Sequence, residues 1–191
     1  MTPIPVGPSA GAADPVPDGR RQESRRRTGL FVAAAMVAGI DLAAKAWAQR
    51  ALPAGGIEAG PVDLRLAYNP GVAFSLAAEA PSAAVLVVTG LITAVMAVLA
   101  WRTAATGSRW RAAALAAILG GAVANVADRA ADGVVTDYLH TGWWPTFNLA
   151  DTAIVTGAAL LVLAGLRAAD DPGGAAPGNG IRQEGQRAGH E

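Results

Sequence analysis

The stretch from Pro81 to Trp101, PSAAVLVVTGLITAVMAVLAW, contains no charged residue. A helix needs roughly 20 mainly apolar residues to cross a bilayer, so this run reads as a spanning helix. Inside lipid a helix satisfies every backbone group within itself, and that requirement governs the rest of the chain. Three further apolar runs, Leu30 to Ala48, Ala112 to Ala127 and Ala150 to Leu166, are of similar length. The chain is 52% hydrophobic and 16% charged, too apolar for an ordinary soluble domain of 191 residues. The expected fold is an all-α membrane protein with four transmembrane helices, a small extracytoplasmic β-element and disordered termini.

Formal net charge is zero, which hides an uneven distribution. Arg20, Arg21, Arg25, Arg26 and Arg27 precede the first run, Arg102, Arg109 and Arg111 lie between the second and third, and Arg167 follows the fourth. Four spans place all of these on one side, which the positive-inside rule makes cytoplasmic. Nucleic-acid binding is the other reading of the leader arginines, but their position against an apolar run favours a topology signal. Residues 1–28 are expected to be a disordered cytoplasmic leader, 29–167 the membrane domain and 168–191 a disordered cytoplasmic tail. A cleaved signal peptide ending near Ala46-Trp47-Ala48 is the alternative for the first run. Against it, Asp41 and Lys45 are spaced i, i+4 and share one helix face. Within 49–80, turn residues and the partly alternating VDLRLAYNPGVAFSL predict a short β-hairpin or small sheet facing outward.

Polar residues gather between Gly120 and Asp151. Each half of that stretch closes with Asn-x-x-Asp, Asn125 with Asp128 and Asn148 with Asp151. At about 1.5 Å per residue, Asp128 lies roughly 25 Å from the cytoplasmic end of the third helix and Asp151 roughly 24 Å along the fourth. Asp41 and Lys45 reach nearly the same level on the first. Ionisable side chains near membrane depth are functional-site candidates by default.

The inventory narrows the chemistry. There is no cysteine, and there are only two histidines, one of them His190 in the tail, so no His-x-x-x-His zinc pair is present. Ser75 with His140 is a conceivable nucleophile and base, but nothing in the sequence orients them. Carboxylates remain. Two aspartates close enough to share a proton divide into acid and base, and such a dyad hydrolyses amides without metal or cofactor.

The Asp41 to Lys45 pair, NPGVAFS, GGAVANVADR, VVTDY and FNLADT, in this order along Leu30 to Leu166, resemble the blocks of the lipoprotein signal peptidase (signal peptidase II) family. The resemblance implies a bacterial multi-pass enzyme of the inner (cytoplasmic) membrane, acting as a monomer near the extracytoplasmic face. It implies that Asp128 and Asp151 form the catalytic dyad of an aspartyl endopeptidase. Its implied substrate is a diacylglyceryl-modified prolipoprotein, cut before the lipidated cysteine, with membrane lipids as its surroundings and no nucleic-acid partner, cofactor or metal. Asn69, Gly71, Asn125, Arg129, Asp137, Asn148 and Ala150 match positions with which the family lines or braces its site, and Asp41 with Lys45 matches its first-helix pair. Arg129 is expected to meet a lipid phosphate or a substrate carbonyl with its fork of donors, or else to snorkel to the interface. Ala44 and Ala124 depart from the family pattern, where a hydroxyl residue and a glycine are usual.

A small proton- or ion-coupled transporter is the alternative from another class, since buried Asp, Asn and Lys also line ion pathways. A pathway needs polar groups through its full depth, whereas here they form one layer. A purely structural membrane subunit leaves the repeated Asn-x-x-Asp unexplained.

Overall fold

A computed structural model describes residues 19–71, 81–105 and 108–169. Its elements are α1 (Gly19–Ala51), β1 (Asp63–Asn69), α2 (Ser82–Thr103), α3 (Arg109–Asp132), β2 (Val135–His140) and α4 (Leu149–Ala169). All four helices are long and apolar enough to cross a membrane. The mostly helical fold with a small antiparallel sheet agrees with the expected class.

Helix α3 is central, packing against α1, α2 and α4. Its glycines make this possible. A Cβ on Gly120 would stand 2.5 Å from Ala34 O of α1, and one on Gly121 2.5 Å from Ala150 O of α4. Small residues at such positions let helix backbones approach closely where lipid provides no hydrophobic drive between helices. Leu30 and Ala34 of α1, Ala100 and Ala104 from the end of α2, and Leu115 and Leu119 of α3 form an apolar core at one end of the bundle. Ala100 is the only buried residue of α2, so most of that helix turns Val, Leu and Ile side chains outward, as a lipid-facing helix does.

Two boundaries differ from expectation. Helix α1 begins at Gly19, so 19–28 is helical rather than disordered leader. Glu23 reaches Arg27 at i, i+4, and the Arg27 guanidinium lies 4.8 Å from the Trp101 ring centroid, contacts that extend the helix beyond its apolar run. The remaining expected leader and tail, 1–18 and 170–191, lie outside the described residues. Of the short hairpin or small sheet expected within 49–80, the described residues show a small sheet, whose second strand comes from outside the segment. β1 pairs antiparallel with β2 from the far loop, Asn69 opposite Val135 and Asp63 opposite His140. Ile57 makes a local antiparallel bridge with Leu64, and Leu139 another with Phe147. The sheet thereby ties the two inter-helix loops together at the end of the bundle opposite the apolar core. Finally, α3 runs one turn past Asp128 before Gly133, in the left-handed region at φ 87°, stops it and directs the chain into β2.

Candidate active site

The start of α4 shows how local sequence builds the site. Asn148 is not part of the helix but its N-terminal cap. Its Oδ1 accepts from Asp151 N at 2.9 Å, while Asp151 Oδ2 accepts from Asn148 N at 3.3 Å, a reciprocal capping box. The next free donors are satisfied from elsewhere. Ala150 N donates to Asp41 Oδ1 at 2.8 Å and Leu149 N to the Tyr138 hydroxyl at 3.4 Å. Three side chains from three elements therefore hold the turn that carries Asp151. Ala150 contributes its backbone, and its fully buried methyl packs with Ala38 and Ala124.

Asp128, on α3, accepts from Thr136 N at 2.7 Å and lies 3.3 Å from Lys45 Nζ. Lys45 also pairs with Asp41 at 2.9 Å and donates to Asn125 Oδ1 at 2.7 Å. Asn125 Nδ2 in turn donates to Asp151 Oδ1 at 2.8 Å. The amide three residues before Asp128 thus serves the other aspartate. A continuous polar chain, Asp128 to Lys45 to Asn125 to Asp151, joins α3, α1 and α4. The supporting groups are deeply buried, with Asp41 1% and Lys45 2% exposed, whereas the Asp128 side chain keeps 11% of its surface. Such a gradient leaves the carboxylate reachable within a fixed frame.

Asn148 Nδ2 donates to Asp137 Oδ1 at 2.7 Å, and also reaches Asn125 Oδ1 and Thr136 O. Burial, reinforced by the nearby Asp151 charge, pushes the Asp137 carboxyl up to about 6, against the pull of the Asn148 and Asn69 side chains. Burial likewise raises the Tyr138 phenol to about 12. Arg129 is 6% exposed, so it does not snorkel. Its Nη2 donates to Asn69 O at 3.2 Å, anchoring the end of β1, while its Nε has no hydrogen-bond partner among the described residues. Asn69 Oδ1 accepts from Gly71 N at 2.8 Å, and Gly71 has φ +97°. A Cβ there would meet Val85 Cγ1 at 2.7 Å and Arg129 Nη2 at 3.3 Å, so the turn needs glycine.

The structure brings Asp41, Lys45, Asn125, Asp128, Asp137, Asn148, Ala150 and Asp151 into one network, with Arg129, Asn69 and Gly71 beside it. Ser75 lies outside the described residues, and His140 Nδ1 stands 3.3 Å from Thr146 Oγ1. Thr136, Tyr138 and Gln49 are additions to the expected set. Gln49 Nε2 donates to Thr136 Oγ1 at 2.8 Å, and Thr136 is fully buried. Thr136 reaches Asp128 through a backbone N–H, which no side-chain pattern reveals.

Four helices long and apolar enough to cross a membrane, joined at one end by a polar network with several carboxylates, define a membrane protein with a candidate active site. The comparisons agree. A family model described as signal peptidase (SPase) II matches residues 33–167. A lipoprotein signal peptidase of Rhodococcus jostii is 38% identical over 81% of this chain and 78% of its own length. One from Mycolicibacterium smegmatis is 36% identical over 81% of this chain and 70% of its own length. Among solved structures, a bacterial membrane enzyme determined by the in meso method at 2.3 Å superposes with a TM-score of 0.66. It is 19% identical and covers 78% of this chain and 94% of its own, which supports the fold. The chain belongs to the signal peptidase II family, aspartic peptidases of bacterial membranes.

Proposed function

We propose that this protein removes the signal peptide from diacylglyceryl-modified prolipoproteins, cutting before the lipidated cysteine, with Asp128 and Asp151 acting together on water. The reading is carried by the polar chain that fixes both carboxylates in one frame through Lys45 and Asn125. In such a pair one carboxyl holds a proton for the leaving amine while the other accepts one from the attacking water. No metal or cofactor takes part in this reading. Asp41, Lys45, Asn125, Asp137, Asn148 and Ala150 position the acids; Asn69, Gly71 and Arg129 hold the neighbouring turn where the peptide would lie.

In this proposal the enzyme acts as a monomer in the inner membrane. Both termini are cytoplasmic, and the site lies near the extracytoplasmic face, where a lipid-anchored substrate enters sideways between helices. The transporter alternative loses support from the core below the site, where Leu30, Ala34, Ala100, Leu115 and Leu119 form an apolar cluster among the described residues.

The test is incubation of the purified protein with lipidated and non-lipidated forms of one prolipoprotein. The expected result is release of signal peptide from the lipidated form alone, abolished by Asp128→Asn and by Asp151→Asn in folded protein. Turnover close to the parental rate in either variant overturns the dyad.

A further inference from the structure

At the end of the bundle away from the aspartates, a groove of about 320 Å³ lies between α1 and the first turns of α3. Arg26 of α1 and Arg109 of α3 border it, and Gly29, Ala33, Ala113 and Ala116 give it small apolar walls. Ala33 and Ala116 are each seven residues along from the arginine of the same helix, roughly 10 Å deeper. Arg26 Nη1 donates to Ala105 O at 3.4 Å, which ties this guanidinium to the end of α2. Neither arginine pairs with a carboxylate, and no acidic residue lines the groove, among the described residues. A second groove at this end, of about 680 Å³, is bordered by Glu23, and Arg27 there already pairs with that acid at 3.9 Å. Two free cations over an apolar cleft therefore distinguish the first. Trp101 and Trp110 are exposed at the same end, 52% and 74%, and tryptophans of a spanning protein gather at headgroup level. The two guanidiniums thus stand in the layer where lipid phosphates lie.

The geometry points to a binding site for one anionic phospholipid of the leaflet at this end, the cytoplasmic leaflet in the orientation proposed above. The phosphate diester sits between the Arg26 and Arg109 guanidiniums, and an acyl chain lies along the small-residue walls between α1 and α3. A planar guanidinium offers its donors as a fork that fits phosphate oxygens, and two of them from different helices fix one phosphate. A zwitterionic headgroup would bring its own cation to a place that already holds two. A free phosphate would leave the apolar walls without a partner, whereas a lipid uses both parts of the site. The bound lipid also bridges α1 and α3, so it stabilises the fold that it binds. The site is independent of the peptidase reading, and its test needs no substrate.

The full chain, purified in detergent and stripped of lipid, is offered phosphatidylglycerol or phosphatidylcholine with identical chains, and bound lipid is counted by native mass spectrometry. The parent is expected to favour the anionic lipid by about thirtyfold, the scale of two arginines near anionic lipid. Arg26→Gln with Arg109→Gln should lose that preference; both side chains are exposed, so this variant is expected to fold. Arg102→Gln with Arg111→Gln removes the same charge from residues that do not border the groove, and should keep it. Gly29→Leu retains both arginines but occupies the groove, since nothing lies within 4 Å of a Cβ built there. It should weaken binding of the anionic lipid by about tenfold. Equal binding of the two lipids by the parent overturns the inference, as does equal loss in the two double variants, the pattern of a diffuse positive surface. Undiminished lipid binding in folded Gly29→Leu also overturns it, and so does capture of inorganic phosphate as tightly as the lipid, the mark of a site for a soluble anion.

Discussion

The Lys45 ammonium lies 3.3 Å from Asp128 Oδ2, although the two sit on different helices. The same ammonium is 2.9 Å from Asp41, so one buried cation serves two carboxylates. Lys45→Met leaves both acids without their cation, and breaking a buried pair typically costs about 3–5 kcal/mol. The double variant Asp41→Asn, Lys45→Met removes one of the stranded charges and keeps an acceptor for Ala150 N. Its midpoint of thermal unfolding in detergent should therefore lie above that of Lys45→Met alone. Equal midpoints would remove the pair from the account.

Asp41 has a second task, since Oδ1 caps Ala150 N. Asp41→Ala removes this acceptor and should destabilise the protein by about 1 kcal/mol more than Asp41→Asn, the usual scale of a lost helix cap. Comparison of the two unfolding midpoints at one pH checks it.

Asp137 makes stability depend on pH. Its carboxyl rises from 3.8 to about 6 in the folded state, so the folded protein holds a proton that the unfolded chain has already released. The corresponding stability is fully present below pH 3.8 and is lost as pH rises through about 6. Asp137→Asn keeps an acceptor for Asn148 and does not titrate. It should be insensitive across this window and more stable than the parent at pH 7 by up to about 3 kcal/mol. Parallel pH profiles for parent and variant would refute this.

Gly121 faces Ala150 O so closely that a methyl group forces α3 and α4 apart. Gly121→Ala should cost about 1–3 kcal/mol and lower turnover, though it touches neither aspartate. Gly39→Ala is the control, since nothing lies within 4 Å of its added Cβ and alanine favours the helix. Equal stability of the two variants would count against close packing.

The proposed orientation rests on arginine placement. Reporters fused after Ala105 and after Arg167 should read cytoplasmic, and one inserted between Ala54 and Gly60 should read extracytoplasmic. Any reversed label would invert the proposed side of the site.

Much of this protein is legible in its sequence because the governing signals are local. Apolar run length marks four helices, i, i+4 spacing pairs Asp41 with Lys45, and Asn148-x-x-Asp151 holds the elements of a capping box. With no cysteine, two histidines and no serine that the sequence orients, the residue inventory points to carboxylates. What local pattern leaves open is who meets whom. Asn125 bonds Asp151 rather than its own neighbour Asp128, and β1 finds its partner across two helices in β2. The contacts that finish the site are largely backbone groups, Thr136 N on Asp128 and Ala150 N in the hold of Asp41. Every residue type except proline carries that N–H, so nothing in the residue sequence singles these out. Only the packing of α1, α3 and α4 brings them within hydrogen-bond distance and decides which are used.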